Sequence, residues 1–487
     1  MSWALAAACL VAAVPAGLRW LRVAQREHYL PWSAGRFRWK WWLSSPANKT
    51  LGVVEVVGIL GSLYHPLWGF LVPLAQIGPL RLPVRGVTSP LAWTSRLRRV
   101  AIVSGVVFLV GITIGLVREE AIMIVAPLFL LPSIVDLTLW LLAPVEKRLG
   151  GQWVDKARAK LDTIAPDVVA ITGSYGKTTT KNYVAHLVGA SRRTMASPAS
   201  FNNRMGLARA INENLVPGTE VFVAEMGTYG PGEIAELCEW IPPKVGAMVA
   251  IGPVHLERFK TVENIVEAKS EILDRAEVGV ICVDHPLLAD LAVQRASTMR
   301  IIEVSTGDGL VIEGDRVADV PEGVFPANLA VALGICRALD IDIEEVLPRI
   351  RDLSGAEHRQ SVMTAGGGFT IIDNTFNSNP AGARSALAAL AEAGAGGRTA
   401  VITPGMVELG PVQDKENMEF AAAASAQVDH FVIVGRTNRF YLLEGSANGR
   451  ASVTVVDSRD EAVEWARANL GPGDAVLYEN DLPDHYP

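Results

Sequence analysis

Cysteine is scarce: Cys9, Cys238, Cys282 and Cys336 are the four in 487 residues, and they lie far apart. No CxxC or Cys/His spacing occurs, which argues against a zinc framework or a redox pair and leaves reduced thiols in a cytoplasmic setting. Acidic residues are scarce in one place only. Residues 1–150 carry 15 Lys and Arg against 6 Asp and Glu, whereas the remainder carries 29 against 45. The basic part is also the apolar part, so a membrane region followed by an acidic soluble region is expected. The acidic balance of the larger part argues against nucleic acid as a partner. A cleavable leader is lacking too. The apolar run 2–18 is followed by Arg19, Arg22 and Arg26 rather than preceded by them, the reverse of a signal peptide. There is no internal repeat and no extended low-complexity tract, and the length calls for two or three domains.

What is present begins with apolar runs at 2–18, about 51–64, 66–80, 100–117 and 121–143. The second and third are short for a crossing of roughly 20 residues, so they are either a tight pair of spans or a re-entrant hairpin around His65-Pro66. The basic segments 19–49 and 81–99, and the residues after the last run, belong on the cytoplasmic side. Five spans with the N-terminus outside satisfy that pattern, four being the other count, and place the rest of the chain on the cytoplasmic face. Trp32, Trp39, Trp41 and Trp42 suit an interfacial belt or plain packing.

The most informative stretch is DVVAITGSYGKTTTK, 167–181. Val168 to Ile171 reads as a buried strand, Gly173-Ser174-Tyr175-Gly176 as a turn without bulk, and Lys177 onward as a helix with Val184, Leu187 and Val188 on one face. Such a unit cradles phosphate: backbone N–H groups and the helix N-terminus meet the anion, a lysine meets the outer phosphates and a hydroxyl meets Mg²⁺. ATP and Mg²⁺ are the implied cofactors. The common P-loop would need glycine at 171, where Ile171 stands; here two residues separate Gly173 from Gly176.

From about 160, strand-like runs (VFVAEMG, VGAMVAIG, VGVICVD) alternate with helical patterns, which predicts a mostly parallel sheet covered by helices. A second, smaller α/β unit starts near 356. The expected domains are 1–150 (multi-span), 151–355 (central, ATP-binding) and 356–487 (C-terminal, Rossmann-like). Gly173, Glu225 and His255 each follow a strand end, where ligands of such sheets collect. Read singly, His255, Lys269 in EAKSEIL, and Asp373, Asn377 and Asn379 in IIDNTFNSNP are ordinary structural or loop residues.

Their order changes that reading. TGSYGKTTTK, SFNNRMGLARAI, VAEMGTYGPGEIAEL, VHLERF, EAKSEIL, IIDNTFNSNPAG and PGMVELG together resemble the Mur ligases, ATP-dependent amide-forming enzymes of peptidoglycan precursor synthesis, most closely the MurF type that adds D-Ala-D-Ala. The resemblance covers roughly two thirds of the chain. It implies that Gly173, Ser174, Tyr175, Gly176, Lys177, Thr178 and Thr179 hold the ATP phosphates. Asn328 would meet the adenine, and Arg359, Asp373, Asn377 and Asn379 would close on the nucleotide. Thr178, Glu225 and His255 would serve the metal. Lys177, His255 and a carbamylated Lys269 would act in catalysis, and Asn202 and Asn203 would lie on the substrate side near the phosphates. The implied reaction activates a carboxylate as an acyl phosphate for attack by an amino acid or dipeptide, at a bacterial cytoplasmic membrane and with membrane lipid as a partner.

The chain departs from the family pattern in three places. Membrane-like helices replace the domain that holds the UDP part of the substrate. Val324 and Phe325 replace a His-Asn pair. LYENDLPDHYP, 477–487, replaces a Lys-Gly-Ser-Arg-like segment, and Thr403-Pro404 likewise replaces a Gly-Asp pair. A cell-wall precursor or another carboxylate acceptor, including a lipid-linked one, therefore remains open. So do a polyglutamate-type ligase and, from a different class, an ATP-driven transporter or membrane regulator.

Overall fold

The basic, apolar first third folds as helices that pack on one another and on the soluble domains. The computed structural model describes residues 1–86, 90–307, 309–320, 324–353, 361–365, 367–375, 378–394, 396–483 and 485–487. In order come α1 (Ser2–Arg26), α2 (Ser33–Leu43), α3 (Pro46–Gly61), a short turn at Pro66–Phe70 leading into α4 (Leu71–Ala75), α5 (Ser95–Arg118), α6 (Ala121–Phe129), α7 (Leu131–Ile164) and, beyond the first strand, α8 (Lys177–Val188). Local chemistry sets the starts. The Ser45 hydroxyl accepts from Asn48 N at 3.2 Å with Pro46 next, and Thr94 accepts from Leu97 N at 3.2 Å, both ordinary N-caps.

The expected five spans are reduced by these lengths. Among the described residues, α1 and α5 are the two single helices long and apolar enough to cross a membrane; α6 and α7, bent by 63°, make a third if the pair counts as one span. With 16 residues, α3 reaches only about 24 Å at 1.5 Å per residue, short of a hydrocarbon core of about 30 Å. It turns back at His65-Pro66 into the shorter helix 66–75, the hairpin form of the two alternatives.

Several polar groups inside this helical region are paired. The Asp136 carboxylate accepts from Ala34 N at 3.0 Å and Gly35 N at 2.8 Å, at the positive end of α2. Arg38 meets Glu55 at 3.2 Å, and Gln76 donates to the same carboxylate at 2.7 Å.

The soluble part holds two sheets. The first contains β1 (Asp167–Thr172), β2 (Thr194–Ala196), β3 (Val221–Glu225), β4 (Val245–Met248), β5 (Val278–Cys282), β6 (Arg300–Ser305), β7 (Leu310–Ile312) and β8 (Asp315–Ala318). Their order is β2-β3-β1-β4-β5-β6-β7-β8, parallel from β2 to β6 and antiparallel beyond. Residues of β1 alternate between two cores: Val168 and Ala170 face one with Phe222 and Ile265, Val169 and Ile171 the other with Val184 and Leu329. Burying each such side chain stabilises the sheet by about 1.5–3 kcal/mol. The second sheet contains β9 (Ser361–Thr364), β10 (Thr370–Asn374), β11 (Thr399–Thr403), β12 (His430–Val434), β13 (Ser452–Val456) and β14 (Ala475–Glu479), in the order β13-β12-β11-β14-β10-β9, with β9 alone antiparallel.

Two connections built on buried core residues join the helical region to the rest. α7 runs through the expected boundary at 150: Leu131, Val135 and Leu139 belong to the helical core, Val154, Ala157 and Leu161 to that of the first sheet. The C-terminal tail is the second. Tyr486 packs edge-on against Phe37 with ring centroids 5.0 Å apart, and Trp41 Nε1 donates to His485 O at 2.8 Å. Tyr486→Ala is expected to weaken this docking by about 3 kcal/mol, read as faster amide exchange in Ser33–Leu43. Unchanged exchange there would mean that the tail is not held by its aromatic contacts.

Candidate active site

Because β2 and β3 lie on one side of β1 and β4 on the other, the C-terminal end of β1 is a switch point of the parallel sheet, the place where such sheets open a crevice. The glycine turn sits there. Gly176 has φ 78°, and a Cβ on it would stand 2.4 Å from Asn328 Nδ2; no residue with a side chain fits that position without strain. Asn328 holds the turn against the first helical turn of α8, donating to Gly176 O at 2.7 Å and Thr180 Oγ1 at 2.9 Å. On the other side Ser174 donates through N to Ala250 O at 2.7 Å and through its hydroxyl to Gly252 O at 3.1 Å. Tyr175 bridges to Ala250 and lies against Gly252. Lys177 Nζ donates to Gly173 O at 2.7 Å and so curls over the turn. Thr179 is buried on the core side of α8.

Register brings the carboxylate to this turn. Ile171 pairs with Glu225, so the last residue of β3 lies beside the last residues of β1. Glu225 is 3 % exposed. Its Oε2 accepts from Thr178 Oγ1 at 2.9 Å and lies 3.6 Å from Lys181 Nζ; its Oε1 accepts from Asn202 Nδ2 at 3.2 Å. Burial pushes the Glu225 carboxyl up, but Lys177, Lys181 and those two hydrogen bonds outweigh it and hold the group below its ordinary range. Lys269 is 2 % exposed in the helix Val262–Ser270, and burial first, then the charge of Lys177, drives its ammonium well below the ordinary lysine value.

The remaining expected residues are divided. Asn203 caps the helix Arg204–Asn214, accepting from Gly206 N at 3.0 Å, and Asn379 caps Pro380–Ala393, accepting from Gly382 N at 2.9 Å. Asp373, at the end of β10, accepts from Thr375 N at 3.1 Å and Thr375 Oγ1 at 2.6 Å. Arg359 and Asn377 lie outside the described residues. His255 is not in contact with Glu225 or Thr178. Its Nδ1 is hydrogen-bonded to Glu408 of the C-terminal domain, and its ring meets Tyr229 at 5.0 Å. Among the described residues no group of three or more His, Cys, Asp and Glu is arranged around a metal position. The hard oxygen donors at the turn are Thr178 and Glu225, a pair that fits Mg²⁺ completed by phosphate and water.

His255 marks a junction absent from the sequence reading. Tyr229 also meets His28 at 5.6 Å and carries the Arg258 guanidinium over its ring at 4.5 Å. Arg36 bridges Glu27 and Glu257, the latter at 2.8 Å, and Glu27 meets His485 Nε2 at 3.0 Å. Burial would raise the Glu408 carboxyl, but His255, Arg258 and Arg36 bring it down to about 2. The sequence signals were weak: Glu408 stands in PGMVELG and Tyr229 in GTYGPG, and neither names its partner. Another missed residue is Lys181, one helical turn after Lys177. Glu479 is a further one. It is fully buried, accepts from Asn374 Nδ2 at 2.7 Å and from the Ser378 hydroxyl, and is pushed up to about 7 by burial.

Two outcomes follow. Glu225→Gln leaves the Lys181 ammonium buried beside a neutral amide and is expected to cost about 3–5 kcal/mol in denaturant unfolding. The double variant with Lys181→Met should recover most of that loss; equal losses in both would exclude the pair as the cause. Glu479 has a raised folded-state value, so its stabilising contribution is full below the ordinary glutamate value and is lost as pH rises through about 7. Glu479→Gln should therefore flatten the fall in thermal midpoint from pH 5 to about pH 8, measured by calorimetry; an unaltered slope would assign that fall elsewhere.

Residues 171–325 match the Mur ligase middle domain, and residues 358–478 the Mur ligase glutamate ligase domain. The chain is 29% identical over 366 residues to the UDP-N-acetylmuramoyl-tripeptide--D-alanyl-D-alanine ligase of Mycobacterium leprae, covering 64% of this chain and 70% of the relative. It is 26% identical over 348 residues to the ligase of the same name from Bacillus subtilis, covering 66% and 75%. Among solved structures, MurF ligase from Thermotoga maritima in complex with ADP superposes with a TM-score of 0.55 at 25% identity, covering 68% of this chain and 80% of that one.

Proposed function

Because this chain belongs to the Mur ligase family, we propose that it is an ATP-dependent, ADP-forming amide ligase of peptidoglycan precursor synthesis, of the MurF type, held at a membrane by α1 and α5. The observation that carries the reading is the buried Glu225, hydrogen-bonded to Thr178 at the mouth of the glycine turn with Lys177 beside it. A carboxylate, a hydroxyl and a lysine at a glycine turn that opens a helix N-terminus suit a nucleoside triphosphate and its counter-ion. Relatives named for a muramoyl tripeptide and D-alanyl-D-alanine support the choice of substrates.

In this reading an acceptor carboxylate oxygen bonds to the γ-phosphorus as the bond from that phosphorus to the bridging oxygen breaks, and ADP leaves. The amine of the incoming dipeptide then attacks the acyl carbon, phosphate departs, and the nitrogen loses its surplus proton. Mg²⁺, when bound, screens the phosphate charge. The chain's own part is alignment and charge. Lys177 swings from Gly173 O to the outer phosphates. Thr178 and Glu225 hold the oxygen-donor edge. Lys269, whose charged form is disfavoured by burial and by Lys177, is the position where an amine would add carbon dioxide, releasing a proton and becoming an anion. His255 and Glu408 close the C-terminal domain over the acceptor side, where Gly410 comes so near Leu256 that a Cβ would lie 2.9 Å from its carbonyl carbon. That closure keeps water from the acyl phosphate.

The test is ADP release that requires both a muramoyl tripeptide and D-Ala-D-Ala. Lys177→Ala should lower it by about 10²–10³-fold. Release near the wild-type rate in that variant would overturn the assignment. ATP turnover coupled instead to solute movement in vesicles would support a transporter.

A further inference from the structure

Three features of the helical region converge on the same axis. The first is an apolar groove of about 230 Å³ between α1, α5 and α7, lined by Val14, Gly17, Leu18, Gly105, Phe108 and Val135. Its two glycines, Gly17 and Gly105, stand on opposite walls, and a Cβ on either would meet nothing within 4 Å. The missing side chains at these two positions leave the groove open. Its one hydroxyl, Ser104, already donates to Thr138 Oγ1 at 3.0 Å, so its lining seeks an apolar chain. Both α1 and α5 are long and apolar enough to cross a membrane, and in a membrane that they cross the groove would lie at hydrocarbon depth.

The second feature is charge at one end. α1 reaches Arg22 one turn beyond Leu18, and that arginine is fully buried; Arg26 follows another turn on. α5 runs the opposite way and begins with Ser95-Arg96, where the Arg96 guanidinium lies over the Tyr29 ring at 4.3 Å. The basic ends of the two groove walls thus coincide, and guanidinium groups suit phosphate oxygens.

The third is direction. From Leu21 at the groove to Arg26 at the end of α1 is five residues, about 7.5 Å at helical rise, and His28 follows in the turn beyond. His28 meets Tyr229 at 5.6 Å, and Tyr229 meets His255 at 5.0 Å. The helix and the turn after it therefore lead from the apolar groove, past the arginines, to the His255 side of the candidate active site.

We propose that this groove is a binding site for a lipid-linked acceptor: an aliphatic chain between α1 and α5, a phosphate head group at Arg26 and Arg96, and a carboxylate carried onward to His255. The proposal rests on the ligase reading for the carboxylate, and on the groove and its arginines alone for the lipid phosphate. It also gives the helical region a task in place of the nucleotide-sugar domain it replaces, since a lipid phosphate needs no uridine site.

The full chain in phosphatidylcholine nanodiscs is labelled with a long-chain alkyl phosphate carrying a diazirine in its chain, or with the matching alcohol. The phosphate probe should mark peptides within 13–21 and 101–108, the alcohol about tenfold less, and Gly105→Trp or Gly17→Leu should remove the label. Equal marking by both probes means bulk lipid only, and cross-links between two copies through the groove mean a helix–helix interface; either overturns the proposal. In parallel, ligation of D-Ala-D-Ala is measured with one muramoyl tripeptide carried on UDP or on an isoprenyl diphosphate. Each groove variant should lower the ratio of lipid-linked to UDP-linked turnover by about tenfold, and an unchanged ratio overturns the proposal while leaving the ligase reading intact. Labelling as expected with no ligation of either acceptor overturns the ligase reading and leaves the lipid phosphate site standing.

Discussion

The parallel register of β1 and β3, Ile171 against Glu225, is the constraint on which the candidate site depends. It brings a carboxylate to the end of the strand that carries the glycine turn and buries it there. A buried carboxylate needs cations and donors, and α8 supplies them from one turn: Lys177, Thr178 and Lys181. A shift of one residue in that pairing would turn Glu225 to the other face of the sheet, and the lysines would face one another without it. Asn328 then locks the same turn from the helix Pro326–Ala338, so the cradle is held between two helices and two strand ends.

One departure from the pattern of the family, the C-terminal tail, has a physical explanation. A different N-terminal region needs different surfaces to rest on. The tail that ends in His485, Tyr486 and Pro487 packs on α2, and Val407, next to Glu408, packs against the same helical core. The shared helix α7 and the Arg36–Glu257 pair join that region to the first sheet. All three parts meet around His255, so the orientation of the C-terminal domain is tied to the membrane-like helices and not only to the nucleotide.

How much of this was legible in the sequence depended on distance along the chain. The glycine turn, its lysine and threonine, and the strand–helix alternation are local patterns, and they fold as read. Asn203, expected on the substrate side, and Asn379, expected on the nucleotide side, are also local, and the side-chain oxygen of each caps a helix. The short apolar run at 51–64 was ambiguous because hydropathy reports composition and not where a helix turns back. Glu408, Tyr229 and Glu27 were invisible as site residues, since each acts through a partner from another region, up to 458 positions away for Glu27 and His485. Nothing in the residues beside them marks such a partner.

The sequence by itself determined the phosphate cradle, the two α/β units and the basic, apolar character of the first 150 residues, because periodicity, glycine conformation and charge are properties of short segments. Only the tertiary structure decided that Glu225 is buried between two lysines, that His255 answers to Glu408 rather than to Glu225, and that the helical region reaches His255 through His28 and Tyr229. Burial and pairing are set by which segments pack together, and packing is decided by the whole chain at once.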